Sequence, residues 1–467
     1  MAVDHFMSQL KAADDVLGLA RRLGAACLDQ EADLAEMTDD PRTQMDIHRL
    51  ELWTGQASLA HWEEVVKDPE QFGKRFGAKV VTLLRRAKTR HPMGCLGILR
   101  GLCRRPLGEF FAGVADQVHL DRGLPVPFAT RPLPDHLGSH CTTTLPTLNN
   151  TGLLDPLSFD IYGHAASKQV RVVLDFGHRD AIDQLTWTKD GLPQIATLHP
   201  KCSGELDEIP VEDGTFFGVR PREWDLEEVE SLLEAAKREG ADLAVLPELS
   251  LPAPGELKQT IEKNQEDFPR VVVAGSAHVV ERDGASQVRA NESQIYLDGR
   301  YVATARKHHA FETDEINGEK HPRLLRENLT REPKTIMVLS GEMTRLAVVI
   351  CADLQEHEIP SLLVDAGVNL LLVPSMTKRI GSFNTAVCDI AGYCQGVAAL
   401  ANTRWGDEGK PFLCLCAVPR EEPEMQSAAL PATDEARNPA PVLGIFNPNK
   451  PLPDAVRWAD PSANGSV

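Results

Sequence analysis

The sequence has no apolar run approaching the roughly 18 residues that a membrane-crossing helix requires, so no membrane partner is expected. Its opening, Met1-Ala-Val-Asp-His5, lacks the basic stretch and apolar core of a secretory signal. Ten cysteines are present without a regular framework, and Cys351, Cys414 and Cys416 lie inside strand-like runs. With no signal visible, that pattern predicts reduced thiols in a cytoplasmic protein. A basic surplus is also missing: 49 Lys and Arg stand against 68 Asp and Glu, a net charge of -19. This argues against attachment to nucleic acid through the whole surface. No glycine-rich phosphate loop appears, so no nucleotide cofactor is expected. Cys388-x5-Cys394 and Cys414-x-Cys416 lack the paired spacing with His that zinc uses, and no metal site is predicted.

What remains is the composition of a folded chain, 42% hydrophobic and 25% charged, with 467 residues suggesting more than one domain. Residues 1–123 read as a helical accessory domain, with Phe6, Leu10, Leu17, Trp62, Val65, Phe76, Val80 and Leu84 near helical spacing. Between Gln71 and Gly108 there are ten Lys or Arg and no acidic residue. Lys74, Arg75, Lys79, Arg85, Arg86, Lys88 and Arg90 lead this stretch. It reads as a solvated helix face, as one docked on the protein's own acidic surface, or as a contact for nucleic acid or an acidic protein partner. Residues 124–165, broken by Pro125, Pro127, Pro132, Pro134, Pro146 and Pro156, read as a linker or extended arm. A third segment, 166–420, alternates strands and helices, and 421–467 reads as a tail that wraps the surface or frays.

Within 166–420 the expected strands include Gln184–Trp187, Gln194–Leu198, Ala241–Pro247, Arg270–Ser276, Lys334–Leu339, Arg345–Ile350, Val368–Val373 and Val397–Ala401. Asp225 should cap a helix running to Arg238, closed by Gly240. Continuous apolar strands between helices indicate an α/β domain.

Three of these strand ends each present one reactive group. Ala241-Asp-Leu-Ala-Val-Leu-Pro247 delivers Glu248, Tyr301-Val-Ala-Thr-Ala-Arg306 delivers Lys307, and Leu346-Ala-Val-Val-Ile350 delivers Cys351. Singly, each has a bland reading: a turn glutamate, a solvated lysine, a small core thiol. Together, at the carboxyl ends of strands in an α/β domain, they form a candidate constellation.

The constellation resembles the nitrilase superfamily, the carbon–nitrogen hydrolases, over about residues 210–420. Ala241–Ser250 is similar to that family's Glu segment and Arg306-Lys307 to its Lys segment. Cys351-Ala-Asp353 with Glu358, Gly367 and Leu370-Leu-Leu-Val-Pro374-Ser375 resembles its cysteine signature, and Asn402-Thr-Arg404-Trp-Gly406 a later motif. The resemblance implies an αββα sandwich, here preceded by a mainly helical N-terminal region, and a homo-oligomer. It also implies thiol-dependent hydrolysis of a non-peptide carbon–nitrogen bond in an amide, carbamoyl compound or nitrile, without cofactor. Glu248 would then shuttle the proton, Cys351 would attack, and Lys307 with the backbone N–H of Ala352 would hold the oxyanion. A lysine neighbour and a helix-start position would favour the Cys351 thiolate. A second glutamate that positions substrate falls at Glu315, with Glu312 as its rival. The sequence departs from the family at Ala352, commonly aromatic there, and in a shorter Glu248–Lys307 interval. A second reading keeps the fold as an oligomerising scaffold or effector module, as in bacterial defence, with the basic segment docking its target.

Overall fold

Alternation along buried strands decides the architecture. The computed structural model describes residues 16–29, 47–54, 76–82, 84–85, 91–103, 117–121, 124–127, 159–161, 170–185, 192–201, 206–209, 216–283, 285–316, 319–327, 329, 334–341, 344–356, 358–377, 381–394, 396–403, 412–419, 427–431, 441–450 and 454–461. Leu346 and Val348, Leu370 and Leu372, Ala399 and Ala401, and Cys414 and Cys416 enter one apolar cluster. Their neighbours Ala347, Leu371, Leu400 and Leu415 enter another. A second sheet behaves the same way. Its Ile195, Leu243, Val245, Val273 and Ile295 join the first cluster, and its Ala196, Leu198, Ala244, Leu246 and Val272 join a third. Two sheets sharing one apolar face, each hiding its other face under helices, make an αββα sandwich.

The first sheet has eight strands in the order Gln117–His119, Val170–Asp175, Lys334–Ser340, Arg345–Val348, Leu370–Ser375, Val397–Asn402, Phe412–Ala417 and Ser427–Pro431. The second runs Ala277–Asp283, Ala285–Leu297, Val271–Val273, Leu243–Val245, Ile195–His199, Val442–Phe446 and Val456–Ala459, with Arg300–Arg306 also paired to Ala285–Leu297. A four-stranded sheet stands apart, ordered Glu312–Ile316, Glu319–Glu327, Phe216–Pro221 and Leu206–Ile209. Its Leu206, Val219 and Leu325 pack with Leu249 and Met376, residues that follow two strands of the main sandwich.

Helix Leu226–Arg238 shows why these segments fold as they do. The Asp225 carboxylate accepts from the Glu227 and Glu228 amides, Glu227 and Glu228 sit at the positive helix end, and Lys237 and Arg238 at the negative one. Gly240 closes it at φ +82. Val229, Leu232, Leu233 and Ala236 face the second sheet; a fully buried leucine there contributes about 1.5–3 kcal/mol. Glu358–Asp365 and Gly381–Tyr393 cover the first sheet on its outer side.

The N-terminal helices Val16–Leu28 and His91–Cys103 use that same outer side. Leu19, Leu23, Leu96 and Leu99 share one apolar cluster with Val172, Leu363, Phe383 and Cys351. Helical residues 47–54 cross His91–Cys103 at two glycines. A Cβ on Gly97 would lie 2.7 Å from the Ile47 carbonyl oxygen, and one on Gly101 2.6 Å from that of Glu51.

Several expectations change. Gln184 and Leu185 form a turn after helix Arg179–Asp183, not a strand, because Ile182 and Leu185 bury at helical spacing against the inter-sheet cluster. Gln117–His119 is a strand inside the span read as helical, paired with Val170–Asp175. Within the expected linker, Pro125–Pro127 pairs antiparallel with Phe159–Ile161. The expected tail supplies three strands. Val442–Phe446 lies inside the second sheet beside Ile195–His199, where Leu443 and Ile445 face the helices and Phe446 enters the core. Segment 56–67 lies outside the described residues.

Candidate active site

Strand Leu243–Val245 runs to Pro247 and hands Glu248 to the seam between the sheets. Leu249, at φ 55, turns the chain sharply there. Gly275 makes room for that turn: a Cβ on it would lie 2.2 Å from Ser250 Oγ and 2.6 Å from the Pro247 carbonyl oxygen. The backbone of Glu248 is gripped from the first sheet. Its N–H donates to Ser375 O (3.3 Å), and Thr403 Oγ1 donates to its carbonyl (3.1 Å) and to Ser375 O (3.0 Å).

Lys307 follows strand Arg300–Arg306 and is anchored by its own N–H, which donates to Asn291 O (2.9 Å). Cys351 follows strand Arg345–Val348 and begins a short 3-10 turn, Cys351–Gln355, with φ 44 at the cysteine itself. Asp353 in that turn is fully buried. It accepts from the His308 N–H (2.9 Å), the His309 N–H (2.7 Å) and His309 Nδ1 (3.2 Å). The turn that carries the thiol is thereby tied to the strand end that carries Lys307.

All three groups foreseen at the strand ends meet. Lys307 Nζ donates to Glu248 Oε1 (2.7 Å), and Glu248 in turn interacts with the Cys351 thiol. Ser375 Oγ donates to Cys351 Sγ (3.5 Å), which lies 3.7 Å from Met376 O. Three further residues complete the network. Lys307 Nζ also donates to Glu327 Oε2 (2.6 Å), at the end of strand Glu319–Glu327 in the small sheet. Asn291 Nδ2 bridges Glu248 Oε1 (3.0 Å) and Glu327 Oε1 (2.9 Å), and His278 Nε2 lies 3.0 Å from Glu327 Oε1. Every one of these side chains is buried.

Burial raises the Glu248 carboxyl above its ordinary value, with Lys307 opposing and Glu327 reinforcing. Burial would raise Glu327 too, but Lys307 and His278 outweigh it and hold it well below the carboxylate range. Desolvation alone would lower Lys307; the two carboxylates reverse that and keep it charged. The Cys351 thiol does not follow the expected direction. Burial first, and then the Glu248 charge, push it up, while Lys307 and the hydrogen bonds with Met376 and Ser375 pull the other way without prevailing. The resting group is therefore a thiol beside a carboxylate.

Glu315 and Glu312 both lie in strand Glu312–Ile316, the side chain of Glu315 being outside the described residues. Glu327, on the adjacent strand, makes the contacts to Lys307. Ala352 directly follows Cys351 in the 3-10 turn. Of the basic segment, Lys79 and Arg85 are exposed on helical residues, whereas Lys74, Arg75, Arg86, Lys88 and Arg90 lie outside the described residues, as does Arg404. No described helix is long and apolar enough to cross a membrane.

The seam of the αββα sandwich thus holds a thiol, a carboxylate and a doubly paired lysine together. Residues 220–392 match the carbon-nitrogen hydrolase family, so the chain carries a domain of that family. A comparison with curated proteins finds no match. Among solved structures, the chain is similar to an amidase from Nesterenkonia sp. at 16% identity and a TM-score of 0.35, covering 51% of this chain and 90% of that one. A mutant of that amidase, with the acetamide moiety of fluoroacetamide added covalently at its active-site cysteine, gives 15% identity, a TM-score of 0.35 and coverages of 53% and 93%. These overlaps are loose, and the domain assignment rests on the family match.

Proposed function

We propose that the protein hydrolyses the carbon–nitrogen bond of a small amide through a Cys351 thioester. The observation that carries this reading is the convergence of Glu248, Lys307 and Cys351 at one buried seam inside a carbon–nitrogen hydrolase domain. A buried thiol held above its ordinary pKa does not attack by itself; Glu248, raised toward neutrality by its own burial, is the base beside it. As the sulfur bonds to the carbonyl carbon, the thiol proton moves to Glu248 and negative charge gathers on the substrate oxygen. Lys307 and the Ala352 N–H are the donors for that oxygen. Collapse breaks the carbon–nitrogen bond while Glu248 returns the proton to the departing amine. Water then enters, gives a proton to Glu248, and attacks the thioester; the acid leaves and Cys351 recovers its proton. Glu327 fixes Lys307 and keeps it cationic.

The test is ammonia release across a panel of short amides, carbamoyl compounds and nitriles, for wild type, Glu248→Gln and Cys351→Ala. Turnover of an amide by wild type, a loss on the order of 10³-fold in Glu248→Gln, and trapping of a mass adduct on Cys351 are expected. Amide turnover equal in all three proteins would sink the reading.

A further inference from the structure

Behind the groups that would touch substrate lies a buried histidine that the proposed chemistry does not use. His278 sits on strand Ala277–Asp283, with its side chain fully shielded and Nε2 3.0 Å from Glu327 Oε1. Facing a carboxylate held in its charged form, Nε2 must carry the hydrogen. The other ring nitrogen has an uncommon setting. Nδ1 lies 2.9 Å from the Val219 N–H nitrogen and 3.0 Å from the carbonyl oxygen of the same residue. A neutral ring accepts from the Val219 N–H; an imidazolium donates to the Val219 carbonyl. Either protonation state is satisfied without moving the ring, so the usual cost of leaving a buried polar group unpaired does not select between them.

We infer that His278 is a positioning residue for the reaction proposed above, whose gain or loss of a proton resets the charge of the Glu327–Lys307–Glu248 chain while its geometry stays fixed. The described charged groups connected to it are Glu327 on strand Glu319–Glu327, then Lys307 after strand Arg300–Arg306, and Glu248 after Leu243–Val245; Val219, from strand Phe216–Pro221, presents only backbone. With a neutral ring, two carboxylates face one lysine and the chain carries one net negative charge. Protonation cancels it. The imidazolium reaches Glu248 through Glu327 and Asn291, and is linked to Cys351 only through Glu248 in this network. Its charge therefore stabilises the Glu248 carboxylate more than a thiolate, and transfer of the thiol proton to Glu248 becomes harder. Activity should therefore fall when acid protonates the ring.

The experiment follows Cys351 alkylation by iodoacetamide from pH 5 to 9, by peptide mass, in full-length wild type, His278→Gln and His278→Ala, alongside amide turnover. Glutamine can donate to Glu327 but cannot take a proton. Wild type should show an acid limb within this range; His278→Gln should lose that limb and, above it, react within about threefold of wild type. His278→Ala should react about tenfold more slowly or worse at every pH, because Glu327 loses one of its buried partners. If His278→Ala does not fold, as judged by circular dichroism, His278→Gln decides alone. A wild-type rate flat through this range, or a limb unchanged in His278→Gln, overturns the inference. Alkylation needs no substrate, so a histidine-linked limb without amide turnover leaves this inference standing and removes the hydrolase reading instead.

Discussion

The two sheets bring different chemistry to the seam between them. From the second sheet and the loops after its strands come Glu248, Asn291, Lys307 and His278, a cluster of charge and hydrogen bonds. From the first comes Cys351, backed by Leu354, Phe383 and Ile350 of an apolar cluster that reaches the N-terminal helices. Charge is assembled on one side and the sulfur is kept neutral on the other. Separation of this kind keeps the Cys351 sulfur protonated, with Glu248 as the described carboxylate beside it. The small sheet contributes Glu327 to this cluster, and the pairs it makes there decide how strongly Lys307 is held.

The largest way to break the contrast is to remove its apolar-side member. Cys351→Ala should lose amide turnover by on the order of 10⁴-fold or more while its melting temperature stays close to wild type, read by ammonia release and calorimetry. Emptying the charged side should cost stability as well as rate. Lys307→Met leaves Glu248 and Glu327 buried without their cation, and denaturant unfolding should show a loss of about 3–5 kcal/mol.

Glu327→Gln sharpens the comparison through pH. Glu327 has its pKa depressed in the folded state, so its stabilisation is present above the unfolded value of about 4.3 and disappears as pH falls through the folded value. Lys307, raised, contributes below its unfolded value of about 10.4 and loses that contribution as pH rises through the folded one. Unfolding midpoints between pH 2 and 7 should therefore fall less steeply in Glu327→Gln than in wild type; parallel curves would count against the assignment. The smallest effect concerns the stitch across the seam. Thr403→Val removes the donor that joins Glu248 O to Ser375 O, and should cost about 1–2 kcal/mol with a modest drop in turnover.

Glu248, Lys307 and Cys351 could be read in advance because each ends an apolar strand, and a strand end is a local pattern. Thr403 sits beside a recognisable Asn402, so proximity hinted at it. Glu327, His278 and Asn291 left no such trace. Each lies in a strand among other polar residues, where a single histidine, asparagine or glutamate carries no local signature. Glu327 reaches Lys307 only because Glu312–Ile316 and Glu319–Glu327 fold back as a hairpin. The thiol departs from expectation for another reason: Lys307 is visible in the sequence, but the burial that chiefly raises Cys351, and the Glu248 charge that adds to it, appear only in the fold. The same holds for Val442–Phe446, whose five residues look unremarkable among prolines until the open side of Ile195–His199 is in view.

That late strand also sets a schedule. A ribosome making this chain completes Ile195–His199 and its neighbour Leu243–Val245 early, then must add the stretch up to Phe446 before the other flank can be zipped. At about 5–20 residues per second the wait is roughly 10–50 s. Throughout it a nascent second sheet displays bare amides and carbonyls along a central strand, which invites pairing with a stray chain. A message broken before codon 442 would release a product with that flank permanently unzipped.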